Sequence, residues 1–168
     1  MQKQVFIEGK TNFPFIGKVG LDTDGLIHLY SSLTFQQWFF GTQLVANQMI
    51  IIHRKVWQQF LGYIYYQEFK EKQTWEFCKQ EVDEFLKKMG ASVFEKDTFD
   101  VTRGDEIFKK FNPINGVCDT DCFIIAGYER IKASVIYSGT DHFIKTAKAV
   151  GLHCRSFPSE EGIYKRMI

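Results

Sequence analysis

Lys18 to Ile27 reads KVGLDTDGLI, and the reading of the whole chain turns on where its two carboxylates fall. Lys18–Leu21 predicts a short strand that ends at Asp22. The apolar residues after Gly25 predict a helical segment over Leu26–Ser31. Asp22 and Asp24 therefore sit where a strand gives way to a helix. In open α/β sheets, ligands bind beyond such carboxyl ends of strands.

Outward from this stretch the same alternation repeats. The opening VFIEG (5–9) reads as a short strand, with Pro14 before the next one. The aromatic-rich stretch from Phe35 to Gln43 has no clear boundaries. Met49–Ile52 (MIII) predicts a strand, and Lys55 to Tyr66 a helix. A second helix is predicted from Glu68 to Lys88, with Trp75, Cys78, Val82, Phe85 and Met89 on one apolar face. Gly90 ends it. Ser92–Phe94 is a short strand, Gly104–Phe111 a short helix, and Pro113 lies in NPING, read as a loop. A helix then begins near Asp119 or Thr120, either of which can cap free backbone N–H groups. Ser134–Tyr137 predicts a strand, Ser138-Gly139-Thr140 a turn into a helix ending near Gly151, and His153–Ser156 a last strand. Short apolar strands alternating with helices predict a three-layer α/β/α fold with a central, mostly parallel sheet.

The composition is globular, with 45% apolar and 24% charged residues among 168. That length suits one domain with a real core. A net charge of +1 argues against a strongly basic nucleic-acid coat but leaves room for a local basic groove. No signal peptide or membrane-length apolar run is present, which makes a cytoplasmic protein the default and predicts no membrane partner. The four cysteines (Cys78, Cys118, Cys122, Cys154) form no CxxC pair, so reduced thiols are expected. Cys118 and Cys122 with His142 or His153 would make a zinc set, but the usual close ligand pairs are missing.

Asp22, Asp24, Asp121 and Asp141 all fall at junctions on the same predicted sheet edge. Any one of them alone reads as a helix cap. Together, like charges would repel and one would take up a proton. A hard divalent cation removes that conflict and needs oxygen ligands. Such an ion can also stabilise charge on a phosphoryl group, so the constellation points to metal-assisted phosphoester chemistry.

VGLDTDGLIHLY resembles the first motif of PIN domains, which are usually single-stranded RNA endonucleases. In that likeness Asp22 takes the leading metal-ligand position, Thr23 the hydroxyl position, and Asp24 replaces the usual Asn. TDCFIIAGYERIKASVIYSGTDHF (120–143) resembles the second half of the family. Asp121 matches its helix-start aspartate, with Ile124 and Ala126 behind it, and Ser138 and Phe143 bracket the last motif. TAKAVGLHCRSF (146–157) resembles the final helix, glycine turn and strand. The resemblance implies one PIN-like domain over 1–168 with its core at about 17–157. It implies Mg2+ or Mn2+ held by Asp22, Asp24, Asp121 and Asp141, and hydrolysis of single-stranded RNA. Small nucleases of this type are often toxins, so an antitoxin protein is an implied partner, and a homodimer an implied assembly.

Two departures from the family pattern stand out. Gln59, in HRKVWQQFLGY, occupies a place where the family has Glu, and Glu68 or Glu71 would have to supply the missing charge if Asp24 does not. In SGTDHF, Thr140 and His142 stand where Asp is expected, with Asp141 between them. Asp119 lies beside Asp121 as further support. Arg103 and Lys145 are candidate phosphate contacts, and Trp38, Phe39 or Tyr65 candidate stacking rings, with solvated surface and core use as the ordinary alternatives. The altered motifs leave open a module that binds RNA or protein without catalysis. DTDGL also resembles the Asp-x-Asp-Gly opening of haloacid dehalogenase-like phosphatases, and SVIYSGT their second motif. That family needs a later acidic pair, and no strand in the 30 residues after Ser138 ends in one.

Overall fold

The apolar runs bounded by polar residues form the strands. The computed structural model describes residues 17–42, 48–69 and 72–158. The strand expected at VFIEG (5–9), Pro14 and Glu71 lie outside the described residues. β1 (Gly17–Leu21), β2 (Gln48–His53), β3 (Ala91–Phe94), β4 (Val135–Ser138) and β5 (Cys154–Ser156) pair in the order β3-β2-β1-β4-β5, all parallel. β1 is central because its residues can be buried on both faces: Val19 and Leu21 are fully enclosed on one, and Gly20 between them is buried on the other.

Helices cover both faces. α1 (Thr23–Ser31), α2 (Leu33–Gly41), α3 (Arg54–Ile64) and α4 (Trp75–Met89) connect β1 to β2 and β2 to β3, and α1 packs on α3. α5 (Thr98–Asn115), α6 (Asp119–Arg130) and α7 (Asp141–Ala149) connect the remaining strands and pack on one another. This is the expected three-layer α/β/α architecture. The connections change direction at β1, so the switch point lies between β1 and β4, where a crevice opens at the strand ends. Among the described residues no helix is long and apolar enough to cross a membrane.

Several boundaries differ from the expectation. The helix expected from Glu68 starts only at Trp75, because Thr74 caps it by accepting from the Phe77 N–H at 3.1 Å. Glu68 belongs instead to a π-helical turn, Tyr65–Phe69, that continues α3. Trp75 is therefore not core: at the exposed first position of α4 it is 41% accessible, its ring edge-on to Tyr65. Cys78, Val82, Phe85 and Met89 are buried as expected. α5 is much longer than Gly104–Phe111. Asp97 and Asp100 form a reciprocal capping box at its start. Pro113 lies inside its last turn rather than in a loop, where its missing N–H deprives only one carbonyl. The helix stops at Gly116, whose φ of 70° suits the left-handed terminating residue. Neither Asp119 nor Thr120 caps α6. The capping position is Cys118, with no side-chain cap bond, and Asp119 instead accepts from the adjacent Thr120 N–H at 2.8 Å.

A buried polar network ties the far side of the sheet together. His53, at the end of β2, accepts through Nδ1 from the Lys55 N–H at 3.0 Å, so its proton sits on Nε2 and is donated to Asp100 Oδ2 at 3.0 Å. Arg130 donates to both Asp100 oxygens, at 2.8 and 3.1 Å. Burial pushes the His53 imidazole below its ordinary value, so it is neutral. Burial alone would raise the Asp100 carboxyl, but Arg130 and His53 outweigh it and hold the group below its usual range. Gly127 on α6 makes room for this ring: a Cβ there would lie 2.2 Å from His53 Cδ2 and 2.6 Å from Nε2. Because both ring nitrogens are anchored, the ring cannot step aside. Gly127→Ala is expected to cost about 1–3 kcal/mol through overpacking, read as a lower urea midpoint with unchanged slope. A midpoint equal to wild type would show that the ring yields freely.

Candidate functional site

Asp22 follows β1 and caps α1. Its Oδ1 accepts from the Gly25 N–H at 2.7 Å and its Oδ2 accepts from the Ser138 hydroxyl at the end of β4. The Asp22 N–H donates to the Tyr137 carbonyl at 3.1 Å, so the two strand ends are bound together at the switch point. The side chain is 4% accessible. Burial raises its carboxyl to about 7. The bonds from Ser138 and Gly25 oppose this, and the negative charges of Asp24 and Asp121 add to it.

Around Asp22 lies a cavity of about 330 Å³ walled by Thr23, Asp24, Gln59, Tyr63, Asp121 and Thr140, with Ile27. Asp121 reaches it from the first turn of α6. Burial raises its carboxyl too, with the Cys118 thiol and the His142 charge opposing. The Thr23 hydroxyl donates to Gln59 Oε1. Gln59 thus turns its oxygen inward to Thr23, which leaves its amide hydrogens as the groups it can offer a ligand. Asp24 lies 3.5 Å from His28 Nε2 on the next turn of α1, and the His28 ring rests against Phe35 and Phe157.

Three of the four expected carboxylates, those of Asp22, Asp24 and Asp121, therefore line one cavity at the sheet edge. Asp141, the first residue of α7, is exposed and is not among the lining residues. His142 is close enough for its charge to act on Asp121. Asp119 faces a different cavity. Glu68 hydrogen-bonds Tyr30 and does not line the acidic cavity. Arg103 is taken up by Glu129 at 2.8 Å and Glu106 at 3.1 Å. Lys145 is exposed on α7, away from the cavity walls. Phe39 is buried, Trp38 packs edge-on to Tyr137, and Tyr65 packs against Trp75 and Tyr66. Among the described residues no three His, Cys, Asp or Glu side chains are already gathered around one point that would hold a metal. This includes the Cys118 and Cys122 set considered for zinc. Two contributors were not legible as such. The sequence marks Ser138 only as the start of the last motif, and nothing in it shows that the Ser138 hydroxyl binds Asp22. Tyr63 walls the cavity from one helical turn past Gln59.

The order and parallel pairing of the strands are those of a PIN-like α/β/α fold, with the acidic cavity at its switch point. No family model and no curated protein matches the sequence. Solved structures do match in fold. The crystal structure of VapBC2 from Rickettsia felis bound to a DNA fragment from their promoter contains a chain that is 14% identical, with a TM-score of 0.63, over 84% of this chain and 99% of that one. DNA-bound VapBC from Salmonella typhimurium contains one that is likewise 14% identical, with a TM-score of 0.60, over 84% and 98%. β5 ends at Ser156 without an acidic pair, as the phosphatase alternative would require of a late strand.

Proposed function

We propose that the protein is a metal-dependent endoribonuclease that hydrolyses single-stranded RNA. The observation that supports this most is the convergence of Asp22, Asp24 and Asp121 from β1, α1 and α6 on one cavity, with Asp22 and Asp121 strained toward protonation. Crowded oxygen donors of like charge fit a hard cation in their chemistry. These three residues would hold Mg2+ or Mn2+, with Thr140 and His142 at the margin, once Asp24 leaves His28. When bound, the ion supplies charge stabilisation for a phosphodiester and acidifies water. Ser138 and the Gly25 N–H fix the Asp22 carboxylate. Thr23 orients Gln59, whose amide hydrogens can donate to a phosphate oxygen. Tyr63 offers a ring beside the cavity on which an unpaired base can stack. The likeness to VapBC structures supports a toxin-like role, with an antitoxin protein as partner.

The decisive assay is cleavage of an unstructured RNA against rising Mn2+. Wild type is expected to cleave and to be silenced by chelator, while Asp121→Asn loses at least 100-fold in rate. Equal cleavage by the two proteins would end the proposal. A second reading has its own support: with no three ligands preassembled and Asp141 outside the cavity, the domain would bind RNA or a protein without chemistry. It predicts binding indifferent to divalent ions and no rise in melting temperature on adding them.

A further inference from the structure

The acidic cavity has a neighbour built from different residues of two of the same helices. A second cavity, of about 360 Å³, is lined by Lys55, Lys96, Val101, Phe108 and Phe123. On α3, Lys55 faces this cavity and Gln59 the acidic one, one helical turn apart on the same side. On α6, Asp119 and Thr120 face it while Asp121 faces the acidic one. The first turn of α6 is thus a ridge between two adjoining hollows along the carboxyl edge of the sheet.

Lys55 and Lys96 owe their positions to strand register. His53 of β2 pairs with Phe94 of β3, and each lysine lies two residues beyond. Their neighbours Arg54 and Glu95 pair with one another. Among the described residues neither Lys55 nor Lys96 has an ion pair. At the rim Asp105 is neutralised by Lys109 at 2.8 Å. Phe108 and Phe123 give an aromatic wall. Beneath it α5 and α6 press together so closely that a Cβ on Gly104 would come within 3.0 Å of the Phe123 backbone.

Resting on the ribonuclease reading, we propose that this hollow is a nucleotide subsite. It takes one unpaired base of the RNA strand whose phosphate lies in the acidic cavity. The base packs against Phe108 and Phe123, its edge meets Asp119 and Thr120, and its flanking phosphates meet Lys55 and Lys96. The volume is at the small end for ligand pockets and suits one nucleotide. A duplex cannot offer a splayed base, so the subsite favours single strands.

The test is fluorescence anisotropy of a labelled single-stranded RNA heptamer in chelator, at about 50–250 mM salt, where no cleavage intervenes. Each lost phosphate contact on a single strand lowers the salt slope by about 0.7, so Lys55→Ala with Lys96→Ala is expected to lower it by about 1.4 and weaken binding at least fivefold. Val101→Glu, at a wall position 63% accessible, is expected to weaken binding at least fivefold with unchanged melting. The same RNA annealed into a duplex is expected to bind weakly and to be indifferent to Val101→Glu. Wild-type slope and affinity in both variants, or no heptamer binding by wild type, would overturn the subsite. If those variants bind normally while Mn2+-dependent cleavage still needs Asp121, the subsite falls and the nuclease stands. If the variants bind weakly and wild type never cleaves, the subsite stands and the nuclease falls.

Discussion

Asp22→Asn is expected to stabilise the protein and disable it at once. The Asp22 carboxyl is raised by burial to about 7 from an ordinary 3.8. Well below pH 3.8 it is protonated in both folded and unfolded chains, and no charge has to be buried. Between those two values the unfolded chain gives up its proton and the folded one keeps it, so stability falls as pH rises. Above pH 7 the full penalty applies. The gap between those two values corresponds to roughly 4 kcal/mol. Asparagine removes the charge and keeps the bonds: its oxygen accepts from the Gly25 N–H, and its amide faces Ser138. The Ser138 hydroxyl can turn to the Thr140 carbonyl, now 3.4 Å away. In chelator at pH 8 the variant is expected to gain up to roughly 4 kcal/mol over wild type, and less than about 1 kcal/mol at pH 4. Divalent ions reverse the order, because they relieve the wild-type carboxylate and find one ligand fewer in the variant. Mn2+-dependent cleavage falls at least 100-fold. Chemical denaturation at both pH values, with and without Mn2+, reads all of this. A variant less stable than wild type at pH 8 in chelator would show that the buried carboxylate is not strained.

Asp100→Ala is expected to have the largest effect on stability itself. Asp100 is fully enclosed and serves Arg130, His53 and the Asp97 N–H together. Its removal leaves the Arg130 charge half-buried and unpaired, and the His53 N–H without an acceptor. Breaking a buried ion pair from one side costs about 3–5 kcal/mol. For a chain of this length that is a fall of roughly 6–20 °C in melting temperature. Arg103→Ala is the contrast. Its partners Glu129 and Glu106 are partly or well exposed, and the expected cost is below about 1 kcal/mol. Similar losses in both variants would mean that enclosure is not what makes the Asp100 network matter.

Local chemistry made much of this molecule readable. Met49–Ile52 reads as a covered strand, since a short apolar run bounded by polar residues suits both faces of a covered sheet. Gly90 marks the end of α4 because a left-handed residue terminates a helix cheaply. The starts of α4 and α5 were harder. Thr74 and Asp97 are each a single polar residue among many, and only the backbone N–H that each accepts from makes it a cap. Trp75 fits the helical stripe by spacing alone. Whether a stripe position is buried depends on what covers the first turn, and nothing covers this one fully.

The order of apolar runs and breakers along the chain was enough to require a covered parallel sheet and to bring Asp22 to its carboxyl edge, because strand and helix periodicities are properties of neighbouring residues. Which acids then share a cavity depended on pairings across more than a hundred positions. The Ser138 hydroxyl on Asp22 spans 116 residues, and no local pattern encodes it. The same holds for Gln59 turning to Thr23, for Asp141 staying outside, and for Asp100 lying between His53 and Arg130. Each is settled by strand register and helix packing, where distance in space is unrelated to distance along the chain.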